Sequence, residues 1–321
     1  MTAERYLDQV ALLLRTIPEI ASEPDFALKG GTAINLFVRD LPRLSVDIDL
    51  VYLPVAEREA SLNAVRDGLE RIAQRLESRL GFKVERHLLV DGKRLLVHSG
   101  GTAIKVEVSP VLRGTVFPPE IRPVSPSVEE RFGFAEMQVV SLPDLYAGKM
   151  AAALDRQHPR DLFDIHHLLT QEGIDDDLFR AFLIYLVSHP RPTHELLCPH
   201  RLDIAGQYND EFLGMTVEVE ALDTLLAARE TLVGMVQQRA GTTDGRRFLT
   251  SFLTLDPDWS AIGLSDQIAD LPALRWKLLN LQRLSDENPE KFAAQIHLLE
   301  HCLDHPTGIG DTRVQGEATA P

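Results

Sequence analysis

Two aspartates one residue apart, Asp47 and Asp49, sit in the run LSVDIDLVYL, where apolar and polar residues alternate as in a half-buried strand. Side chains two positions apart on a strand point to the same face, so this spacing sets two carboxylates a few ångström from each other. Such a pair repels itself unless a cation lies between, and oxygen-only ligands suit Mg²⁺, which keeps some water and takes its remaining ligands from substrate phosphates. Upstream, Gly30 and Gly31 let the backbone approach a ligand closely, and Thr32 adds a hydroxyl at what reads as the start of a helix, where free amide groups favour a phosphate. A third carboxylate, Glu107 in IKVEVS, stands on the opposite face from Val106 and Val108; two metal ions that clamp attacking and leaving oxygens call for such an acid. Singly these are weak signals. A glycine pair is a common turn, an Asp-x-Asp strand is often a solvated face, and Glu107 alone reads as an exposed residue opposite Lys105 or Lys93. Their order, glycine turn then acidic strand then third acid, makes them informative together.

The surrounding elements must hold these groups. Residues 4–16 carry apolar side chains at helical spacing. DFALK reads as a short strand, followed by the Gly30-Gly31 turn and a helix whose first turn includes Thr32. Residues 55–80 form a charged amphipathic helix rich in good helix formers. Three strands are expected next in FKVERHLLV, KRLLVHS and TAIKVEVSP, with an Asp91-Gly92 hairpin turn between the first two. Residues 114–136, with several prolines, read as a loop with an edge segment, and MQVVSL as one more strand. Pro143 suits a helix start, Pro159 interrupts that helix, and RDLFDIHHLLTQ resumes helical spacing. Nearly everything beyond Gly173 reads as helix, with loops near 189–200 and 240–246. The order predicts an α+β fold, a mixed sheet with flanking helices followed by a mostly helical C-terminal domain.

With 33 Lys plus Arg against 48 Asp plus Glu, the chain of 321 residues has a net charge of −15 and 44% hydrophobic residues. That is ordinary globular composition, enough for two domains. The balance argues against a protein that coats nucleic acid indiscriminately. It is uneven: residues 1–170 hold 21 basic and 24 acidic side chains, the remainder 12 and 24. An anionic substrate is therefore expected on the first half. No apolar stretch is long enough to span a membrane and the opening residues carry charges where a signal peptide is apolar, so the expectation is a cytoplasmic protein without membrane contact. Cys198 and Cys302 cannot build a tetrahedral zinc site alone and are expected to be ordinary thiols.

Gly30-Gly31-Thr32, Arg43, Ser45, Asp47-Ile48-Asp49 and Lys105-Val106-Glu107-Val108 resemble the pattern of the nucleotidyltransferase superfamily. The later run LPDLYAGKMAAALDRQHPRDLFDIHHL, residues 142–168, is similar to the AbiEii/AbiGii abortive-infection toxin family, to which MenT-like toxins also belong. The resemblance spans residues 26–170, and one position departs from it: two before Asp161, where the family has a basic residue, stands Pro159, preceded by His158. With the order of elements, it divides the chain into a nucleotidyltransferase-like catalytic domain over 1–141 and a helical domain over 142–305 that contributes Lys149 and Asp161 to the cleft; the tail over 306–321 lacks apolar periodicity and is expected to be disordered. It further implies that Asp47, Asp49 and Glu107 hold two Mg²⁺ ions, with Glu107 also a candidate general base. Gly30, Gly31, Thr32 and Ser45 would bind the nucleotide, Lys149 would contact the triphosphate, and Asp161 with Asp164 would complete the site. The implied activity is transfer of a nucleoside monophosphate from an NTP to an acceptor hydroxyl, with the 3′ end of tRNA as the acceptor. The chain would be the toxin of a toxin–antitoxin pair whose antitoxin forms no obligate complex with it.

Two other activities fit the same residues: transfer to a small molecule or protein side chain, and a catalytically silent nucleotide-binding module. By spacing, Tyr146, Met150, Ala153 and Leu154 share an apolar side of their helix, leaving Lys149 free to face a cleft or solvent. Asp161 and Asp164 lie one turn apart; the alternative for Asp161 is a charge interacting with the helix dipole, and for Arg160 a surface ion pair. His158, His166 and His167 cluster, but adjacent helical residues point about 100° apart and cannot easily share an ion. Arg239, Arg246 and Arg247 form a small basic group better read as a solvated helix end than as a nucleic-acid contact.

Overall fold

The computed structural model describes residues 3–87 and 93–306. Helix α1 (Ala3–Ala21) buries Val10, Leu13, Leu14, Ile17 and Ile20, the stripe its periodicity predicts. Strand β1 (Phe26–Lys29) leads directly into a short helix α2 (Gly30–Ala33), which continues as one π-helical stretch, Ile34–Val38. After β2 (Asp47–Tyr52) comes α3 (Arg58–Leu80), closed by Gly81 in the left-handed conformation. The strands β3 (Lys83–His87), β4 (Lys93–Ser99) and β5 (Thr102–Arg113) follow as a meander; the expected Asp91-Gly92 turn lies outside the described residues. Residues 114–136 are more ordered than expected: they hold β6 (Glu120–Pro123) and α4 (Pro126–Phe132), whose proline sits in its first turn, before β7 (Glu136–Val139).

These strands make one seven-stranded mixed sheet in the order β3-β4-β5-β2-β1-β7-β6, with β2 parallel to β5, β1 parallel to β7 and the other pairs antiparallel. One face carries Leu28, Ile48, Leu50, Val84, Leu95, Val97, Val106 and Val108, all buried. Helices α1 and α3 pack on this side, tied to each other by Glu23, which pairs with Arg71 at 2.7 Å and Arg75 at 2.8 Å.

The remaining chain is helical: α5 (Leu142–Arg156), α6 (Pro159–Gln171), α7 (Asp176–Ser188), α8 (Thr193–Leu197), α9 (Ala205–Gln207), α10 (Leu222–Ala240), α11 (Thr243–Leu253), α12 (Pro272–Glu287) and α13 (Pro289–Asp304). Helix α5 packs on α6 and α7, α6 on α10, and α2 touches both β2 and α5, so the helical part meets the sheet next to the glycine turn. Both segments expected as loops contain helix, α8 in one and the start of α11 in the other. The cysteines differ from expectation: Cys198, just past α8, forms a disulfide with Cys302 of α13, 104 residues away. The packing of α8 against α13 creates this pair, and no local spacing could announce it. The tail expected to be disordered lies, from residue 307 on, outside the described residues. No helix among the described residues is long and apolar enough to cross a membrane.

Candidate active site

The parallel pairing of β2 with β5 sets the acidic groups side by side. Asp47 is the register partner of Lys105, and Asp49 of Glu107. The row through Asp49 continues to Lys29 on β1 and, through Glu107, to Arg94 on β4. Neighbouring strands are about 4.8 Å apart, so Asp47, Asp49 and Glu107 share one face, opposite the buried Ile48, Leu50, Val106 and Val108. Burial raises the Asp47 pKa above the usual aspartate value, and the charges of Asp49 and Glu107 push the same way, against Lys105 and Arg160. Glu107 pairs with Lys105 at 2.9 Å. Among the described residues, no three His, Cys, Asp or Glu side chains close round a single point. The donor set nonetheless fits a hard divalent cation in kind and in register: oxygen ligands only, from adjacent positions of two strands.

The glycine turn lies against this row. Gly30 has φ +77°, and a Cβ there would stand 2.7 Å from Oδ2 of Asp49; a Cβ on Gly31 would stand 2.8 Å from the Arg43 guanidinium and 3.0 Å from Oγ of Ser45. At Gly30 the backbone thus approaches the Asp49 carboxylate more closely than a residue with a Cβ allows, and at Gly31 it approaches Arg43 and Ser45 in the same way. Helix α2 begins at Gly30, so its first amide groups have no intrahelical partner. Thr32 is buried, donates its hydroxyl to the Asp47 carbonyl at 2.5 Å and lies 3.0 Å from Ser45 Oγ. It ties the turn to the start of the acidic strand.

Behind the turn is a buried ionic network. Arg43 grips Asp164 through two nitrogens at 2.8 and 2.6 Å. Asn35 donates to the Gly31 carbonyl at 2.8 Å and to Asp164 at 3.3 Å. The Lys149 ammonium lies 2.8 Å from Asp161 and 3.0 Å from Asp164, and Arg156 holds Asp161 at 2.5 and 3.0 Å. Asp161 and Asp164 are held below the usual aspartate range: burial opposes this, but Lys149 with Arg156 for the first, and Arg43 with Lys149 for the second, outweigh it. The Lys149 pKa is raised because the same two carboxylates outweigh its burial. The expectation that Lys149 faces a cleft or solvent is therefore corrected. Its side chain is 7% exposed, because α6 docks across α5 and brings both carboxylates to its ammonium.

The family departure at Pro159 has a local account. Pro159 begins α6, and His158 caps it by accepting the Arg160 amide at 3.1 Å while pairing with Glu211. His167 packs edge-on against Phe163, so the three histidines do not gather at one point. Arg239, Arg246 and Arg247 pair with Asp176, Asp304 and Asp258, the solvated helix-end reading. Asn35, fully buried at the centre of the network, has no sequence signal beyond its place four residues after Gly31.

A glycine-started helix beside two parallel acidic strands, with a helical part buttressing it, is the layout of a nucleotidyltransferase. The family described as "Nucleotidyl transferase AbiEii toxin, Type IV TA system" matches residues 11–279, and the chain belongs to that family. It is thus an NTP-using nucleotidyltransferase, the toxin of a type IV toxin–antitoxin system with a cognate antitoxin. Among solved structures, the chain is similar to MenT4, a nucleotidyltransferase toxin from Mycobacterium tuberculosis H37Rv. The TM-score is 0.58 at 16% identity, covering 87% of this chain and 95% of that one, a likeness of fold. No curated protein matches the chain.

Proposed function

We propose that this enzyme transfers a nucleoside monophosphate from an NTP to the 3′-terminal hydroxyl of tRNA, releasing pyrophosphate. The observation that carries the proposal is the pairing of Asp49 with Glu107 across parallel strands, with Asp47 two residues before on the same face and Gly30 against it. Asp47, Asp49 and Glu107 are the residues that would hold two Mg²⁺ ions. Bound there, the ions would neutralise charge on the phosphates and favour the ionised acceptor oxygen. The acceptor oxygen bonds to the α-phosphorus, the bond from that phosphorus to the bridging oxygen breaks, and its electron pair leaves with pyrophosphate. Glu107, beside Asp49 in the row, takes the acceptor proton. The amides of Gly30 and Gly31 receive phosphate oxygens, Ser45 lines the turn beside them, and Thr32 keeps its shape. Asp161, Asp164 and Lys149 support that surface from below.

The tRNA acceptor rests on the family resemblance and on charge: the half carrying the acidic strands is near balance, the other strongly acidic, so a polyanion approaches from the first. The antitoxin, in this reading, counteracts the enzyme without an obligate complex. The test is incubation with each α-labelled NTP, Mg²⁺ and total RNA, comparing wild type with Asp49→Ala. Label entering RNA of tRNA size with wild type alone is the expected result. Equal labelling by both proteins overturns the site assignment, and label found only in protein or small molecules overturns the acceptor.

A further inference from the structure

The disulfide between Cys198 and Cys302 lies in a pocket of about 580 Å³ whose wall also carries His194, His200, His301 and His305. Thiolates and imidazoles are the donors that zinc prefers, and no step of the transfer reaction uses these. Spacing sorts the histidines. His194 stands four residues before Cys198, whose amide closes the last turn of α8 on the His194 carbonyl, so the two share one face. His305 stands three residues after Cys302 at the end of α13, again about one turn away. His301 adjoins Cys302 and points about 100° from it, and His200 lies beyond Pro199, outside the helix. Each helix therefore offers one cysteine and one histidine to the same pocket, and the bridge shows that the cysteines meet.

Two hydrogen bonds prepare these side chains for a metal. Buried Gln237 donates its amide to the Leu197 carbonyl at 2.7 Å and to Sγ of Cys198 at 3.3 Å, a contact that favours a thiolate. Nδ1 of His305 lies 3.2 Å from the His301 carbonyl, which can only accept, so Nδ1 carries the proton and Nε2 is left to ligate. Zn–S bonds of about 2.3 Å at a tetrahedral angle set two sulfurs about 3.8 Å apart. The Cα atoms of Cys198 and Cys302 are 6.2 Å apart, so rotation of the two side chains reaches that spacing. While the sulfurs are joined to each other, no three donors among the described residues close round one point. We propose that Cys198, Cys302, His194 and His305 bind one Zn²⁺ when the bridge is reduced, and that the disulfide is the oxidised, metal-free state of the same site. A dithiol reductant supplies two electrons: the S–S bond breaks, the reductant becomes a disulfide and both cysteines become thiols. Zn²⁺ then takes them as thiolates, and two protons leave. The last helix is thereby tied to α8 in either state. This inference does not depend on the nucleotidyl-transfer reading.

The test titrates Co²⁺ into the full chain, oxidised or reduced with a phosphine and kept from air, and follows absorption. Reduced wild type is expected to bind one Co²⁺ with the intense visible bands of a tetrahedral site and the near-ultraviolet band of a cobalt–thiolate bond, and Zn²⁺ should displace it mole for mole. Oxidised wild type should show neither signal. An oxygen-only site at Asp47, Asp49 and Glu107 gives no thiolate band, so it does not interfere. Cys302→Ser, His194→Ala and His305→Ala should each weaken Co²⁺ binding about tenfold or more, whereas His200→Ala and His301→Ala should stay within about twofold of wild type. A reduced wild type with two free thiols by dye titration that gives no thiolate band overturns the proposal, as does a reduced chain that circular dichroism shows unfolded with or without Zn²⁺. Binding that Cys302→Ser leaves unchanged, or that His200→Ala or His301→Ala weakens as much as His305→Ala does, overturns the ligand set. The comparison of the two redox states needs no substitution, so a variant that fails to fold does not shield the proposal.

Discussion

Replacing Gly30 by alanine adds one carbon where φ is +77° and where that carbon would lie 2.7 Å from Oδ2, 3.4 Å from Cβ and 3.5 Å from Cγ of Asp49. Two costs follow and they can be separated. The left-handed backbone with a Cβ costs roughly 1–2 kcal/mol, which lowers the melting temperature by a few degrees in a chain of this size. The second is geometric: ordinary contact needs about 0.7 Å more room, so the Asp49 carboxylate must rotate or shift away from Gly30 and out of its present register with Glu107. Reacting groups misplaced by about 1 Å lose on the order of 100-fold in rate. Gly81→Ala is the matched control, since Gly81 has φ +66° and a Cβ there meets nothing within 4 Å. Both variants should lose similar stability by thermal melting followed by circular dichroism, and only Gly30→Ala should lose about 100-fold in kcat for label transfer from NTP. A folded Gly30→Ala enzyme as active as Gly81→Ala would refute the claim that this close approach sets the position of Asp49.

Two further outcomes follow from buried charge. Asp164→Asn leaves Arg43 and Lys149 facing a neutral amide and should cost about 3–5 kcal/mol at neutral pH in urea unfolding. Because Asp164 is held below the usual range, this contribution is complete above the unfolded value near 4 and fades as acid carries the pH down through the folded value; a stability gap that widens in acid would contradict it. Lys277 is buried, donates to the carbonyls of His189 and Arg191 at 2.6 and 2.9 Å, and has its pKa pushed down to about 8. Between about pH 8 and the unfolded value near 10.4 the unfolded chain holds a proton the native state has released, so stability rises with pH, by up to about 3 kcal/mol. Lys277→Met should flatten that slope between about pH 7.5 and 9.5, and equal slopes in the two proteins would exclude the effect.

What was legible in the sequence was what local periodicity controls. Alternation around Asp47 and Asp49, and around Glu107, set each carboxylate on the face opposite its apolar neighbours, and the structure puts them there. Which strands would be neighbours was not legible, because the Asp49–Glu107 partnership depends on a parallel crossover through α3 and the β3–β4 hairpin. Helical spacing likewise identified the apolar side of α5 but not the burial of Lys149, since the carboxylates that enclose it belong to a different helix. The same holds for the Cys198–Cys302 bridge, made by packing distant helices, and for α4, whose proline marks a helix start as readily as a loop.

In the proposed mechanism Asp47, Asp49 and Glu107 act as one divalent-cation site. Titrating Mn²⁺ into wild type, Asp47→Asn, Asp49→Asn and Glu107→Gln, with a non-hydrolysable NTP present and binding followed by electron paramagnetic resonance, tests it most directly. The expected result is Mn²⁺ bound by wild type and weakened about tenfold or more by each single substitution, with melting temperatures no lower than wild type as the repelling charges are removed. Unchanged Mn²⁺ affinity and stoichiometry when all three are substituted together would contradict the claim.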